Sequence, residues 1–218
     1  MTEQRAATDF TFAHSRSRII VFAREPRLGQ VKSRLASEIG AQEALAVYQA
    51  MLLRLGELLA GAQIAEWDLW VTSNISHENF LSICNRKNIY LQNGRDLGVK
   101  MYGAIRQTLL DKNVENVILI GTDCPSLTKD YLNQALLALN SGSDVVLGPA
   151  EDGGYVLVGM RRPIAAVFEG IPWGSGEVMQ RTLIALRAND LSYRLLDTLW
   201  DVDGPEDLAR LQLLEPQL

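Results

Sequence analysis

Short apolar runs and longer amphipathic stretches alternate along the chain. The run Arg18-Ile-Ile-Val-Phe-Ala23 is rich in β-branched residues, which is typical of a buried strand. Residues 41–59 instead place Leu52, Leu55 and Leu59 at helical spacing. The same patterns predict strands at 18–23, 67–73, 88–92, 116–121, 144–149, 154–160 and 192–199. They predict helices at 31–39, 41–59, 77–84, 98–110, 128–140, 177–189 and 205–214.

This order predicts an α/β protein, in which a mostly parallel sheet carries helices on both faces. The strands at 144–149 and 154–160 are separated by a short turn around Glu151–Asp152, so one strand is expected to run antiparallel and the sheet to be mixed. We therefore predict a single-domain, Rossmann-like, three-layer α/β/α sandwich over residues 18–218. Residues 1–17 are polar and are predicted to form a flexible N-terminal extension.

Composition narrows the function classes. The chain has 218 residues, of which 47% are hydrophobic, and a net charge of −5, which disfavours disorder and non-specific nucleic-acid binding. Its two cysteines, Cys84 and Cys124, provide neither a disulfide framework nor zinc-ligand spacing. Reduced thiols, a polar N-terminus and the absence of an apolar run of membrane-helix length predict a cytoplasmic protein without a membrane span.

Ligands of such sheets bind beyond the carboxyl ends of the strands, where two segments carry cations or a lone acid. The loop after the first strand contains Gly29, and the helix that follows carries Lys32 and Arg34. This arrangement suits phosphate, although a solvated basic loop is the alternative. Asp123 directly follows the strand at 116–121 and could hold Mg²⁺ or Mn²⁺, or merely cap a turn.

Three later segments also fall at strand ends. Residues 148–159 place Glu151 and Asp152 beside a glycine pair, either as a hairpin turn or as a ligand wall. Trp173 could stack on a sugar or base, or pack in the core with Ser175 as a helix N-cap. Asp203 precedes a helix start and is either its N-cap or a second metal ligand.

Five motifs in this order resemble the nucleotide-diphospho-sugar transferase superfamily with the GT-A fold. More closely, the chain resembles the small glycosyltransferase-like family related to 2-phospho-lactate guanylyltransferase, over residues 18–213. The motifs are Gly29-Gln-Val-Lys-Ser-Arg-Leu35, Asp96-Leu-Gly98, Gly121-Thr-Asp-Cys-Pro125, Glu151-Asp-Gly-Gly-Tyr155, and Asp201-Val-Asp203 followed by Pro205-Glu-Asp-Leu208.

The resemblance implies a role for each motif. The nucleotide and its phosphates are expected at Arg24, Gly29, Lys32, Arg34, Asp96 and Gly98. Asp123 and Asp203 match the metal-binding acids, so Mg²⁺ or Mn²⁺ is the expected cofactor. The acceptor side is expected at Gly153, Gly154, Tyr155, Trp173 and Ser175. Asp152 or Glu151 would act as general base, and Lys32 would neutralise the leaving group.

Three functions remain open at this point. The leading one is a metal-dependent glycosyltransferase that moves a sugar from a nucleotide diphosphate to a small-molecule acceptor. Many glycosyltransferases of this fold carry Asp-x-Asp where this chain has Gly121-Thr122-Asp123, and a single acid there looks more like nucleotidylyltransferases. The alternative is therefore transfer of NMP from an NTP to a phosphorylated small molecule, with release of pyrophosphate. The third is a non-catalytic nucleotide-binding module.

Overall fold

A computed structural model describes residues 12–214, and within this range seven strands alternate with seven helices. The strands are β1 (Ser17–Ala23), β2 (Glu66–Val71), β3 (Ile89–Leu91), β4 (Asn116–Ile120), β5 (Val145–Pro149), β6 (Tyr155–Met160) and β7 (Tyr193–Leu195). The helices are α1 (Ser33–Ile39), α2 (Ala41–Ala62), α3 (Glu78–Ile83), α4 (Leu97–Thr108), α5 (Lys129–Asn140), α6 (Val178–Ala188) and α7 (Pro205–Gln212).

All described strands join one sheet in the order β3-β2-β1-β4-β6-β5-β7. Strand β6 runs antiparallel to both of its neighbours, and every other pairing is parallel. The predicted mixed, mostly parallel sheet is confirmed. The tight turn between β5 and β6 is the cause, because it is too short for the crossover that a parallel pair requires.

Alternate residues of β1 show how the two faces are covered. Ile19 and Val21 face a cluster formed with helices α2, α3 and α5, whereas Ile20 and Phe22 face a cluster formed with α4 and α6. The sheet is therefore buried on both sides, which explains its nearly continuous apolar strands. The three-layer α/β/α architecture is confirmed.

A third, smaller cluster lies outside these two layers. It joins α1, α2 and α7 and buries Leu35, Met51, Val202 and Leu211. Val202 is fully buried although it belongs to no strand or helix. Its burial fixes the segment 201–203 beside α1, which matters for the site described below.

The domain begins before the predicted boundary at residue 18. The backbone N–H groups of Ala13 and His14 donate to the carbonyls of Gln63 and Ile64, at 3.1 and 2.7 Å. Ser17 is already the first residue of β1. Residues 13–17 of the predicted extension are thus attached to the domain by backbone hydrogen bonds, and residues 1–11 lie outside the described residues.

The largest differences in length from the predictions are those of β7 and α2. Strand β7 ends at Leu195 rather than at 199, and beyond it the chain stays beside β5 through backbone hydrogen bonds from Leu196 and Leu199 and one bridge between Ala150 and Leu199. Helix α2 extends to Ala62 and reaches 22 residues, so by length and composition alone it could cross a membrane. It packs Leu52, Leu55 and Leu59 against the sheet, as the core helix of a globular domain does.

Candidate functional site

A crevice of about 600 Å³ opens beyond the carboxyl ends of β1 and β4, where the fold predicts a ligand site. Its walls come from the loop between β1 and α1, the first turn of α4, the segment after β4, and residues 150–156, 173–178 and 201–203. Ten of the residues predicted from the sequence line it: Arg24, Lys32, Arg34, Asp123, Asp152, Gly154, Tyr155, Trp173, Ser175 and Asp203.

The loop between β1 and α1 presents two cations of different exposure. Lys32 has a left-handed backbone, with φ 50°, and its side chain is only 5% exposed. Its Nζ donates to the carbonyl of Val202 at 2.6 Å and forms an ion pair with Asp123. Arg34 is 75% exposed, and its Nη1 lies 3.2 Å from Oδ2 of Asp203. The loop thus reaches both predicted metal-binding acids.

A buried tyrosine fixes the start of this loop. The hydroxyl of Tyr48, on α2, accepts from the N–H of Arg24 and donates to its carbonyl, both at 2.8 Å. Burial raises the pKa of Tyr48 to about 12, so the phenol stays protonated and can make both bonds. Next along the loop, Glu25 is buried, and the hydroxyl of Ser73 holds its pKa below the usual value. These contacts aim Arg24 at the crevice.

Carboxylates converge on the opposite side of the crevice. One oxygen each of Asp152, Asp201 and Asp203 lies within 4.8 Å of the others. Burial, followed by the charges of the surrounding carboxylates, raises the pKa of Asp201 to about 6. Asp123 is among the carboxylates that contribute, so four aspartates share this region.

Backbone contacts bring these aspartates together across about 80 residues of sequence. The N–H of Val202 donates to the carbonyl of Asp123 at 2.9 Å, which joins the segment 201–203 to the end of β4. The N–H groups of Asp203 and Gly204 both donate to Oδ2 of Asp207. The alternative in which Asp203 caps α7 is wrong, because Gly204 is the N-cap and Asp207 supplies the oxygen. The carboxylate of Asp203 is left to face the crevice.

Aromatic side chains form the remaining wall. The Trp173 ring lies 6.1 Å from that of Tyr155, edge to face, and 6.4 Å from that of Phe168, nearly parallel. The Tyr155 hydroxyl is buried beside Thr182, and this burial raises its pKa far above the usual value. Ser175 is not the N-cap of α6, since Glu177 holds that position.

Five predicted residues do not line the crevice. Asp96 caps a helix, and Gly98 and Gly153 are closely packed against neighbouring segments. Asp96 is the N-cap of α4, where its carboxylate accepts from Val99 N–H at 2.9 Å. A Cβ on Gly98 would approach Trp173 within 2.7 Å, and one on Gly153 would approach the Gly176 carbonyl within 2.3 Å. In this structure Asp96, Gly98 and Gly153 therefore support the walls of the crevice, and contact of Asp96 and Gly98 with a nucleotide stays a prediction.

The other two point away from the crevice. Both carboxylate oxygens of Glu151 accept from the Arg210 guanidinium, at 2.7 and 3.0 Å, and this contact lowers the pKa of Glu151. Gly29 lies at the exposed tip of its loop with φ 73°, a conformation that favours glycine. Of the two acids predicted as general base, only Asp152 faces the crevice.

Among the lining residues that were not predicted as part of the site, Asp201, Lys100 and Tyr48 bear most on its chemistry. Asp201 is two positions from Asp203, a spacing that brings side chains to one side of an extended segment and could have indicated the pair. Lys100 follows the predicted Gly98 and carries the only cation on the α4 wall of the described crevice. Tyr48 gave no such signal, because its position fits the apolar stripe of α2.

The donor set fits a hard divalent cation. Carboxylate oxygens are the ligands that Mg²⁺ and Mn²⁺ prefer, and those of Asp152, Asp201 and Asp203 meet within 4.8 Å, with Asp123 near enough to add to their charge. Burial raises the pKa of Asp201 most, and repulsion by the other carboxylates, which a bound cation would relieve, adds to it. The thiol of Cys124 also lines the crevice, but burial raises its pKa to about 11 and makes it a poor ligand.

Solved structures with the same fold include a close relative. A candidate nucleotide-diphospho-sugar transferase from Desulfovibrio desulfuricans G20 is 30% identical, with a TM-score of 0.82 over 93% of this chain and 90% of that one. The predicted resemblance to the nucleotide-diphospho-sugar transferase superfamily, and its fold, are thereby confirmed.

More distant structures share the fold alone. CMP:2-keto-3-deoxy-manno-octonic acid synthetase in complex with CTP is 10% identical, with a TM-score of 0.59 over 91% of this chain and 97% of that one. A Mycobacterium tuberculosis H37Rv protein in complex with manganese is 13% identical, with a TM-score of 0.52 over 90% and 98%.

Sequence comparison assigns the family. No curated protein sequence matches the chain significantly. The profile of a family described as "Uncharacterized protein conserved in bacteria (DUF2064)" matches residues 57–175, which is more than half of the chain. This span contains Asp123, Asp152 and Trp173 of the crevice. The chain therefore belongs to the DUF2064 family.

Proposed function

We propose that this protein is a nucleotide-dependent transferase whose reaction takes place in the crevice at the carboxyl edge of the sheet. The observation that carries this proposal is the contact between two sets of opposite charge, because Lys32 and Arg34 of the β1–α1 loop pair with Asp123 and Asp203, two of the four aspartates in the crevice. A nucleotide diphosphate together with a divalent cation complements both sets. The names of the Desulfovibrio relative and of the CTP-bound synthetase agree with this chemistry.

Each charge set has a role in this proposal. Lys32 and Arg34 bind the nucleotide phosphates, with Arg24 beside them. Asp123, Asp201 and Asp203 hold Mg²⁺ or Mn²⁺, which would stabilise negative charge on the leaving diphosphate. Asp152 accepts the proton of the acceptor hydroxyl; it lies at the boundary between the carboxylates and the aromatic wall, where an acceptor could reach it.

We further propose glycosyl transfer from a nucleotide-diphosphate sugar as the reaction. The wall next to Asp152 is formed by residues 150–156 and 173–178, which include no lysine or arginine. These segments themselves supply no cation to a phosphorylated acceptor, whereas a hydroxyl-bearing ring could stack on Trp173.

Nucleotidyl transfer is the second candidate, and Lys100 favours it. This side chain lines the crevice on the α4 wall, away from the β1–α1 loop, and could bind the phosphate of a second substrate. The same cation could equally contact the donor. The reaction product distinguishes the two candidates, because glycosyl transfer releases NDP and nucleotidyl transfer releases pyrophosphate.

The first experiment measures thermal stability with NTPs, NDPs and nucleotide sugars, each with and without Mn²⁺. A ligand at 100 times its Kd stabilises the folded state by about 2.7 kcal/mol. We expect stabilisation by one NDP or its sugar that depends on Mn²⁺ and is lost in Arg34→Met. The control is Arg162→Met, which removes an exposed arginine that pairs with Asp144 away from the crevice.

The outcomes separate the candidates. Metal-dependent stabilisation by an NTP alone, followed by pyrophosphate release, would replace glycosyl transfer by nucleotidyl transfer. Binding without turnover of any donor would favour the non-catalytic module. Failure of every nucleotide to stabilise the protein, at concentrations up to several millimolar, would remove the nucleotide-dependent proposal itself.

A further inference from the structure

Lys32 is enclosed in a way that an ordinary phosphate-binding lysine is not. Its side chain is 5% exposed, against 75% for Arg34 on the same loop. Its ammonium group donates to the Val202 carbonyl at 2.6 Å and pairs with Oδ1 of Asp123. Both of these contacts are with the segments that carry the aspartates of the crevice.

The backbone of Lys32 is adapted to this position. Its φ of 50° and ψ of 48° lie in the left-handed region, which a side chain with a Cβ adopts at a cost of about 1 kcal/mol. The segment whose carbonyl accepts the hydrogen bond of Lys32 is fixed as well, because Val202 is fully buried and its N–H donates to the Asp123 carbonyl. Lys32 therefore reaches toward a preformed pair of oxygens, and not toward open solvent.

These two oxygens lie where the proposed function needs a metal ion. Asp123 is a proposed ligand, and Asp201 and Asp203 flank Val202 on either side in the chain. In this structure the amine lies against Asp123 and supplies positive charge to the carboxylates, as Arg34 does at Asp203. An ammonium group held against Oδ1 of Asp123 repels a divalent cation that approaches the same carboxylate and occupies part of the space around that oxygen.

We propose that Lys32 and the divalent cation compete for Asp123. Lys32 occupies the carboxylate in the ligand-free protein, and binding of the cation releases its amine, which then contacts the nucleotide phosphates. The inference rests on the proposed metal site at Asp123. It adds an order of binding, in which the cation binds first and releases the lysine that then contacts the phosphates.

The competition predicts effects of opposite sign for one substitution. Lys32→Met removes the competitor, so Mn²⁺ alone, without nucleotide, binds about tenfold or more tightly than to the wild type. The same variant loses a phosphate contact, so an NDP in the presence of saturating Mn²⁺ binds about tenfold or more weakly. A lysine that only stabilises the fold would not produce this pair of changes.

The first test is a titration with Mn²⁺ alone, in which free Mn²⁺ is followed by electron paramagnetic resonance. Wild type, Lys32→Met, Asp123→Asn and the charge-matched control Lys112→Met are compared; Lys112 is exposed and lies outside the crevice. We expect tighter binding in Lys32→Met, weaker binding in Asp123→Asn, and less than a threefold change in Lys112→Met, because a distant exposed charge is screened by solvent.

The titration also separates two failures. Unchanged or weaker Mn²⁺ binding in Lys32→Met, with binding still dependent on Asp123, overturns the competition and leaves the metal site in place. An affinity that does not change in Asp123→Asn overturns both, since the cation then lies elsewhere. An equal gain in Lys112→Met and Lys32→Met would reduce the effect to general electrostatics and also overturn the competition.

A second test uses the wild-type protein and needs no substitution. Amines are acylated with a low concentration of an N-hydroxysuccinimide ester, and labelling at each lysine is quantified by mass spectrometry. Mn²⁺ at a concentration that saturates the site should increase labelling of Lys32 about fivefold or more. Lys100, which lines the same crevice and is half-buried, is the internal control and should change less than twofold. Unchanged labelling of Lys32 overturns the release.

Discussion

Aspartates at the two edges of the sheet have different surroundings: hydrogen-bond donors surround one at the amino edge, and other carboxylates surround those at the carboxyl edge. At the amino edge, Asp144 directly precedes β5 and accepts from the N–H and hydroxyl of Ser192, at 3.0 and 2.8 Å, and from Arg162 at 3.3 Å. At the carboxyl edge, Asp152, Asp201 and Asp203 crowd within 4.8 Å of one another. The same residue type thus has three donors at one edge and like-charged neighbours at the other.

The pKa directions express this difference. Hydrogen bonds from Ser192 lower the pKa of Asp144, whereas burial and neighbouring carboxylates raise the pKa of Asp201 to about 6. A lowered pKa means that ionisation favours the folded state, and a raised pKa means that it opposes folding. The amino edge therefore contributes stability, while the carboxyl edge retains repulsion that a bound cation would remove. We expect substitutions at the two edges to have separable effects.

The largest expected effect is at the carboxyl edge. Asp203→Ala should weaken metal-dependent nucleotide binding at least about a hundredfold, because it removes a proposed metal ligand. Stability should change by less than about 1 kcal/mol, since the carboxylate is 44% exposed and its partner Arg34 is more exposed still. Calorimetric titration of an NDP with Mn²⁺, beside urea unfolding, measures both. Intact binding combined with a loss of stability would mean that Asp203 is structural.

The sequence predicted where the site lies in the fold, but it did not predict which side chains contact one another there. An acid directly after an apolar strand identified Asp123, and the parallel topology predicted that Asp203 would lie near it. Glu151 and Asp152 could not be distinguished, because the partner that turns Glu151 away, Arg210, is 59 residues further along the chain. Such contacts depend on how distant segments pack, which local patterns do not contain.

The fold itself was more accessible to sequence reasoning. Each buried strand required an apolar run and each helix a stripe, so element order and the antiparallel β6 followed from local patterns. Errors occurred where tertiary contacts decide. Residues 13–17 are polar, yet backbone bonds to Gln63 and Ile64 attach them to the end of α2. Strand β7 ends at Leu195 because the chain next turns toward the crevice, a path that hydrophobicity does not predict.

The second prediction concerns Asp68, a carboxylate near the amino edge whose pKa is raised and not lowered as that of Asp144 is. Asp68, on β2, is 7% exposed, and burial raises its pKa to about 6 although Nε of Arg18 lies 3.8 Å away. The folded protein therefore binds this proton more tightly than the unfolded chain, whose reference pKa is 3.8. The contribution of Asp68 to stability falls as the pH rises between these two values and stays unfavourable above them.

Replacing this carboxylate should therefore stabilise the protein. Asp68→Asn is expected to raise the free energy of unfolding by about 2 kcal/mol at neutral pH and by almost nothing near pH 3.5. Urea unfolding at both pH values measures the difference. Glu66→Gln is the control: it also pairs with Arg18, but it is 54% exposed and should change stability by less than about 1 kcal/mol. Destabilisation of Asp68→Asn at neutral pH would show that its ion pair outweighs its burial.

The third prediction tests the stabilising aspartate. Asp144→Ala removes the acceptor of three hydrogen bonds and should lower the free energy of unfolding by about 1–2 kcal/mol at neutral pH. Because its pKa is lowered in the folded state, this contribution disappears as the pH falls below the reference value of 3.8. Nucleotide and Mn²⁺ affinity should stay within twofold of the wild type. Impaired binding in a folded Asp144→Ala protein would contradict the separation of the two edges.

The smallest effect is expected at Glu151, which is compared with the adjacent Asp152. Glu151 pairs with Arg210, whose guanidinium lies 4.4 Å from the centre of the Trp200 ring, so Glu151→Gln should leave the free energy of unfolding almost unchanged and change the transfer rate less than threefold. The matched variant Asp152→Asn should slow transfer by about a hundredfold or more, as loss of a general base does. Steady-state rates of the two variants with one donor decide the matter. Equal rate losses would mean that the Glu151–Arg210 pair positions the wall that carries Asp152, and the boundary of the site would then include α7.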